Sequence, residues 1–284
     1  MTGPADNAAA NVSLSVDCAI NPRHSSSSRM FGVPLDVTLT IFPHSSGTAI
    51  IGADSIAGMT APLPDPVEIR KGAAFYNARG LFIYNLYVLR FNNRFLWRCP
   101  RRRLLRHYDQ HIRCNHLDVG PGTGWYLQHA SFPCQKPRVT LLDLSPDSLA
   151  TAGRRLRRLS PTLFNSDIFS PIPADEKYDS IAANYVFHCI PGDWHTKSLA
   201  MKHIAAALSP DGVFFGSTIL GQGVRHNLLG RRTMARFNES GTFHNDTDDL
   251  DGLRRALDAH FEQYTTTMVG KVALFSATTP RAVA

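Results

Sequence analysis

The 284-residue chain is 43% hydrophobic and 19% charged, enough apolar residues for a sizeable core and too few charges for a wholly disordered polymer. Thirty Lys and Arg against 23 Asp and Glu give a net charge of +7, and only Arg23 and Arg29 of the basic residues fall before residue 68. The basic remainder admits nucleic acid, an anionic membrane surface or an acidic substrate as partner, and equally a solvated Arg-rich surface.

Residues 1–66 read as a flexible N-terminal extension, with Ser25 to Ser28, the cluster Pro62-Leu-Pro-Asp-Pro66 and one possible strand at Val33–Phe42. Residues 67–113 read as a helical cap. Aromatics recur there, Gly80 is the sole glycine between 73 and 113, and apolar residues at 81, 84, 88, 91 and 95 keep helical spacing. Pro100 breaks the pattern, and Arg101 to Ile112 reads as a second helix. Such a cap can cover a sheet and close over a substrate at once, which makes Tyr76 and Tyr84 candidate substrate contacts.

From 114 to 284 the pattern alternates. Strands are predicted at Asn115–Val119, Arg138–Asp143, Thr162–Asn165, Asp179–Tyr185, Gly212–Ile219, Phe261–Met268 and Lys271–Thr278. Helices are predicted at Gly124–Ala130, Pro146–Leu159, Asp193–Leu208 and Asp246–His260. The alternation implies an α/β, Rossmann-like, seven-stranded and mostly parallel sheet with helices on both faces and one antiparallel strand at its end.

The five cysteines are odd in number and form no CxxC pair, so reduced thiols in a cytoplasmic protein are expected rather than a disulfide framework. His111, Cys114 and His116 lack a second ligand pair, so no metal is expected. No apolar run reaches the roughly 18–20 residues of a membrane span, and no secretory signal is expected.

The chemistry is concentrated in Asp118-Val-Gly120-Pro-Gly122-Thr-Gly124, at a predicted strand-to-helix turn. Glycines there let a ligand approach the backbone closely, and the helix that follows offers free N–H groups. The spacing from Gly122 to Gly124 is too short for the dinucleotide GxGxxG fingerprint. An acidic residue ahead of the glycines suits a cationic ligand, such as the ammonium of a methionine moiety, better than a phosphate.

This run resembles the first motif of class I S-adenosylmethionine-dependent methyltransferases, and further resemblances follow in order. Leu141-Leu-Asp143-Leu144-Ser-Pro resembles their second motif, which implies that Asp143 binds the ribose hydroxyls in bidentate fashion. Asn165-Ser-Asp167-Ile168 resembles the adenine-amine segment. Tyr178 to Tyr185 resembles the fourth motif, placing Asn184 and Tyr185 at the methyl-transfer edge, and Leu208 to Phe215 resembles the strand before the substrate loops. The resemblance covers residues 115–278 and implies S-adenosylmethionine as cofactor. Ser145 is the better cap for the following helix, which frees Asp143 for ligand work.

The acceptor is less sharply marked. Asn184-Tyr-Val-Phe187 lacks the two prolines of exocyclic-amine enzymes of DNA and RNA, no Pro-Cys follows the fourth strand, and no paired glutamates occur there. A small-molecule acceptor is therefore preferred, methylated at a hydroxyl or carboxyl oxygen. The chain also looks like small-molecule methyltransferases of bacterial and fungal secondary metabolism. Candidate bases are His188, just after the fourth strand, and His226, whose neighbour Arg225 can pair with a substrate carboxylate. His188 also reads as a packed residue, since Phe187, Cys189 and Ile190 flank it. The alternatives are an RNA-binding methyltransferase that uses Arg98, Arg101, Arg102, Arg103, Arg106, Arg154, Arg155, Arg157 and Arg158, and a cofactor-binding fold that runs other chemistry. Exposed helix faces explain those arginines equally well, so nucleic acid is not the expected partner.

Overall fold

The computed structural model describes residues 96–173 and 176–282. The extension 1–66, most of the cap, the strand expected at Val33–Phe42, Tyr76 and Tyr84 lie outside the described residues.

Seven strands form one sheet: β1 (Asn115–Val119), β2 (Arg138–Asp143), β3 (Thr162–Asn165), β4 (Tyr178–Asn184), β5 (Leu208–Ile219), β6 (Phe261–Val269) and β7 (Val272–Pro280). Their order is β3-β2-β1-β4-β5-β7-β6, with β7 antiparallel to both of its neighbours and the other pairings parallel. This is the expected sheet. Its first three strands keep their predicted bounds, because short apolar runs closed by Gly, Pro or Asp leave little room for slippage.

Helices α1 (Arg101–His111), α2 (Trp125–His129), α3 (Pro146–Arg155), α4 (Trp194–Ala207), α5 (Leu228–Glu239) and α6 (Leu250–Asp258) complete the frame. Four of them start at a side-chain cap that satisfies an otherwise unpaired N–H: Ser145 for α3, Asp193 for α4, Asn227 for α5 and Asp249 for α6. Helix α5 was absent from the sequence-based expectation. The segment carries Arg231, Arg232 and Arg236 and little apolar periodicity, and the Asn227 cap was its one local signal.

Both faces of the sheet are covered. Alternate residues of β1 face opposite ways, as a strand dictates. Leu117 and Val119 join the cluster built with Ile204 of α4, Leu257 of α6 and the buried rings of Phe187, Phe214 and Phe275. His116 and Asp118 face the other layer, beside Tyr108 of α1, whose neighbours there include Leu127 of α2 and Ala152 of α3. Each fully buried Phe contributes on the order of 2–3 kcal/mol through apolar area removed from water. Helix α1 buries Leu104, His107 and Tyr108, at i, i+3 and i+4. His107 Nε2 donates to the Phe275 carbonyl of β7 at 2.9 Å, which pins the helix to the sheet.

Cys114 and Cys134 form a disulfide, with Cys99 and Cys189 as free thiols. This overturns the expectation that all cysteines are reduced. The two lie 20 residues apart in sequence, on segments that flank α2, and only the fold brings their Cα atoms to 6.0 Å. Among the described residues no helix is long and apolar enough to cross a membrane, and no three His, Cys, Asp or Glu side chains cluster as a metal site.

Candidate active site

In a parallel sheet the carboxyl ends of the strands form the ligand-binding edge. Here β2, β1 and β4 lie side by side, and each brings a polar side chain to that edge: Asp143, Asp118 and Asn184. The chain turns after β1 through Gly120, Gly122 and Gly124, with φ of +63°, +55° and +70°. These values are readily held only by glycine. A Cβ on Gly120 would sit 2.7 Å from Val186 Cγ2, whereas one on Gly122 would meet nothing within 4 Å. Gly122 therefore borders the open space a ligand needs.

Gly120, Gly122, Asp143, Leu144, Asp167, Ile168, Asn184 and Tyr185 line one continuous cleft. Asp118 lines a smaller chamber beside it, and the two share Gly120, Gly122, Asn184 and Tyr185 as a wall. Gly124 borders neither. It starts α2 in the left-handed conformation and lies against Leu156 and Ala152, so its part is in helix packing.

The electrostatics are one-sided. Burial pushes the Asp118 carboxyl up to about 7, with the Tyr108 hydroxyl opposing the shift and the Asp143 charge adding to it. Burial likewise raises Asp143 to about 6, although its Oδ1 accepts the Ser145 N–H at 2.8 Å. Among the described residues no Lys or Arg lines either chamber. A pyrophosphate would meet two carboxylates and no counter-charge. A ligand with a cationic end and free hydroxyls would supply what both carboxylates lack.

The rest of the cleft fits such a ligand. Val119, Leu142, Leu144, Ile168, Phe169 and Ile190 give an apolar slot for a flat ring. Asp167 Oδ1 accepts the Phe169 N–H at 3.0 Å, so this residue both shapes the turn and borders the slot. Asn184 Oδ1 accepts the Ser217 hydroxyl at 2.9 Å, while its Nδ2 is buried without a well-formed hydrogen bond. Tyr185 has φ +59°, an uncommon conformation for a non-glycine residue, held by its N–H to the Ser217 carbonyl at 2.8 Å.

The remaining predicted residues fall elsewhere. His188 is buried, accepts the Ile219 N–H at Nδ1 and packs edge-on against Phe243 at 4.5 Å. It borders neither chamber, and burial with nearby Lys197 pushes it down to about 3, which favours the neutral ring over the imidazolium. Of the two settings expected for His188, its surroundings are those of a packed residue, because its flanking apolar residues carry it into the core. His226 is half-buried, and Nε2 donates to the Leu220 carbonyl at 2.9 Å. Its buried Nδ1 has no hydrogen-bond partner, and the ring meets the edge of Trp97. Arg225 is exposed and borders neither chamber.

Sequence reasoning missed Tyr108, Trp125 and Tyr126 in the small chamber, and Phe169, Val186 and Cys189 in the cleft. Adjacency to Gly124, Asp167 and Tyr185 was an available signal for most of them. For Tyr108 the only signal was its place on the buried stripe of α1.

The comparisons with known proteins agree with this geometry. A family model described as a methyltransferase domain matches residues 117–214. The chain is 38% identical over 213 residues to the demethylluteothin O-methyltransferase of Streptomyces thioluteus, covering 75% of this chain and 93% of the relative. It is 37% identical over 222 residues to the physcion biosynthesis cluster O-methyltransferase of Aspergillus chevalieri, covering 77% and 100%. The fold is similar to that of the DhpI–SAH complex, with a TM-score of 0.54 and 18% identity over 74% of this chain and 96% of that one. With a carboxylate at the end of each of two adjacent strands, a glycine turn between them, and relatives aligned over nearly their whole length, the chain belongs to the S-adenosylmethionine-dependent methyltransferases.

Proposed function

We propose that this methyltransferase acts on a small secondary metabolite and places the methyl group on a hydroxyl or carboxyl oxygen. The observation that carries the acceptor class is the alignment, over at least nine-tenths of their length, with two relatives named as O-methyltransferases.

In this reading Asp118 faces the ammonium of the cofactor, Asp143 takes the two ribose hydroxyls, and Asp167 takes the adenine amine. Leu144 and Ile168 flank the adenine, and Gly120 and Gly122 admit the amino-acid portion. Asn184 and Tyr185 stand between the two chambers, at the transfer edge. The cofactor supplies a methyl group already activated on a sulfonium, so the protein has mainly to align, enclose and exclude water. Tyr185 is itself anchored in an apolar cluster that includes Trp97, Met234 and Phe243, which holds this wall of the two chambers in place. The exposed Arg102, Arg106, Arg154, Arg157 and Arg158 lie on helix surfaces, and among the described residues no Lys or Arg lines either chamber, which favours a small acceptor over RNA. His226, whose buried Nδ1 lacks a hydrogen bond and which lines neither chamber, can assist proton removal only if the acceptor reaches it.

Calorimetry with S-adenosylhomocysteine, followed by methyl-labelled donor and a panel of phenols, carboxylic acids and amines, tests the reading. Label on oxygen is expected. Label on nitrogen alone, or binding without transfer to any acceptor, would overturn the acceptor class.

Gly120→Ala checks the turn. The added methyl meets Val186 and forces φ +63° on a residue that resists it. A cost of about 1–3 kcal/mol in urea unfolding, with S-adenosylhomocysteine affinity at least tenfold weaker, is the expected outcome.

A further inference from the structure

We propose that Tyr108 is a positioning residue for the cofactor: from helix α1, outside the motif-bearing segment, its hydroxyl holds the Asp118 carboxylate toward the incoming ammonium. The inference rests on the reading of Asp118 as the ammonium partner.

Tyr108 is buried, and its hydroxyl donates to Asp118 Oδ2 at 2.5 Å. Its ring is stacked on Tyr126 of α2, with centroids 5.7 Å apart and planes within 9°, and meets Phe215 of β5 edge-on at 5.1 Å. These contacts leave the ring no freedom to swing away. Helix α1 is itself held by the adjacent His107, bonded to the Phe275 carbonyl. Tyr108, Asp118 and Asn184 all line the small chamber. The hydroxyl occupies one carboxylate oxygen and leaves the other to the ligand. A tyrosine is suited to this task, since it donates without adding a positive charge that would repel the ammonium.

The arrangement couples binding to a proton. The titratable groups facing Asp118 are Tyr108 from α1 and Asp143 from β2, while Tyr126 from α2 acts on Tyr108 and β4 offers only the uncharged Asn184. With Asp118 raised to about 7, the ammonium must meet a carboxylate that is partly protonated near neutral pH. Affinity should therefore rise with pH through that value. The Tyr108 hydroxyl favours the carboxylate, so its loss moves the rise upward.

The test compares S-adenosylhomocysteine with 5′-methylthioadenosine, which keeps the nucleoside and lacks the amino acid. In Tyr108→Phe, binding of S-adenosylhomocysteine at pH 7 is expected to weaken about tenfold, the value of a hydrogen bond to a charged group, and its pH midpoint to rise. Binding of 5′-methylthioadenosine should stay within twofold, because the stacked ring remains. Equal losses for both ligands would mean a merely structural role and overturn the proposal, as would an unchanged profile for S-adenosylhomocysteine. The unaltered protein gives an independent check: a flat pH profile for S-adenosylhomocysteine between pH 6 and 8.5 also overturns it. Failure of the unaltered protein to bind S-adenosylhomocysteine at all would remove the cofactor assignment itself, which the variant's behaviour alone cannot do.

Discussion

Asp118→Asn is expected to abolish useful cofactor binding and, at pH 8, to make the ligand-free protein harder to unfold. The two effects share one cause. Among the described residues Asp118 is buried with no basic partner, so its negative charge carries a desolvation cost until a cation arrives. A carboxyl with a higher pKa in the folded chain than in the unfolded one binds its proton more tightly when folded. Its destabilising contribution is then small below about pH 4, grows as pH rises to about 7, and levels off above that. Asparagine removes that contribution, which amounts to on the order of 4 kcal/mol at pH 8. It also removes the charge that pairs with the ammonium, weakening S-adenosylhomocysteine by about 10–100-fold. Urea unfolding at pH 5 and pH 8, with calorimetry on the same samples, checks both. Equal stability of the two proteins at pH 8 would show that Asp118 is well solvated or paired when the ligand is absent.

Lys197→Met is expected to cost about 3–5 kcal/mol of folding stability, the usual consequence of leaving a buried charge without its partner. Lys197 of α4 is fully buried, and its ammonium donates to both carboxylate oxygens of Asp248, at 2.7 and 2.6 Å, and to the His244 carbonyl at 2.7 Å. The Asp248 carbonyl accepts the N–H groups of Gly221 and Gln222, so the pair ties α4 to the loop that follows β5. Burial pushes Asp248 up toward about 6, and the Lys197 charge opposes it. Without Lys197 the carboxyl rises further and takes up a proton sooner. The stability deficit should therefore shrink as pH falls from 8 toward 5. The double replacement Lys197→Met with Asp248→Leu should recover most of the loss, because two apolar side chains leave no stranded charge. Denaturant unfolding of both variants at two pH values checks this. A double variant as unstable as the single one would show that packing, not charge, sets the cost.

The elements that sequence rendered well are those whose signal is local. Asn115–Val119 and Thr162–Asn165 are short strands with turn-forming neighbours, and Ser145 and Asp193 announce helix starts through one side chain and a nearby N–H. Residues that line the cleft were legible for a related reason: Gly120, Asp143 and Asp167 each lie at or just beyond the end of a strand, where parallel topology gathers strand ends on one edge. The setting of His188 was left open and the cysteine pairing was misread, because both depend on distant partners. The His188 ring is buried by Phe243, and Cys134 meets a thiol 20 residues away.

The glycine turn and the motifs that follow it in order indicated the cofactor through their resemblance to class I methyltransferases, and the strand–helix alternation indicated the parallel sheet. They act through backbone conformation and strand alternation, which are properties of consecutive residues. Only the tertiary structure decided that Asp118 is held by Tyr108, that Lys197 is sealed against Asp248, and that His188 points into the core. Each of these depends on side chains from separate elements being excluded from water together, and desolvation by distant partners leaves no periodic trace in the sequence.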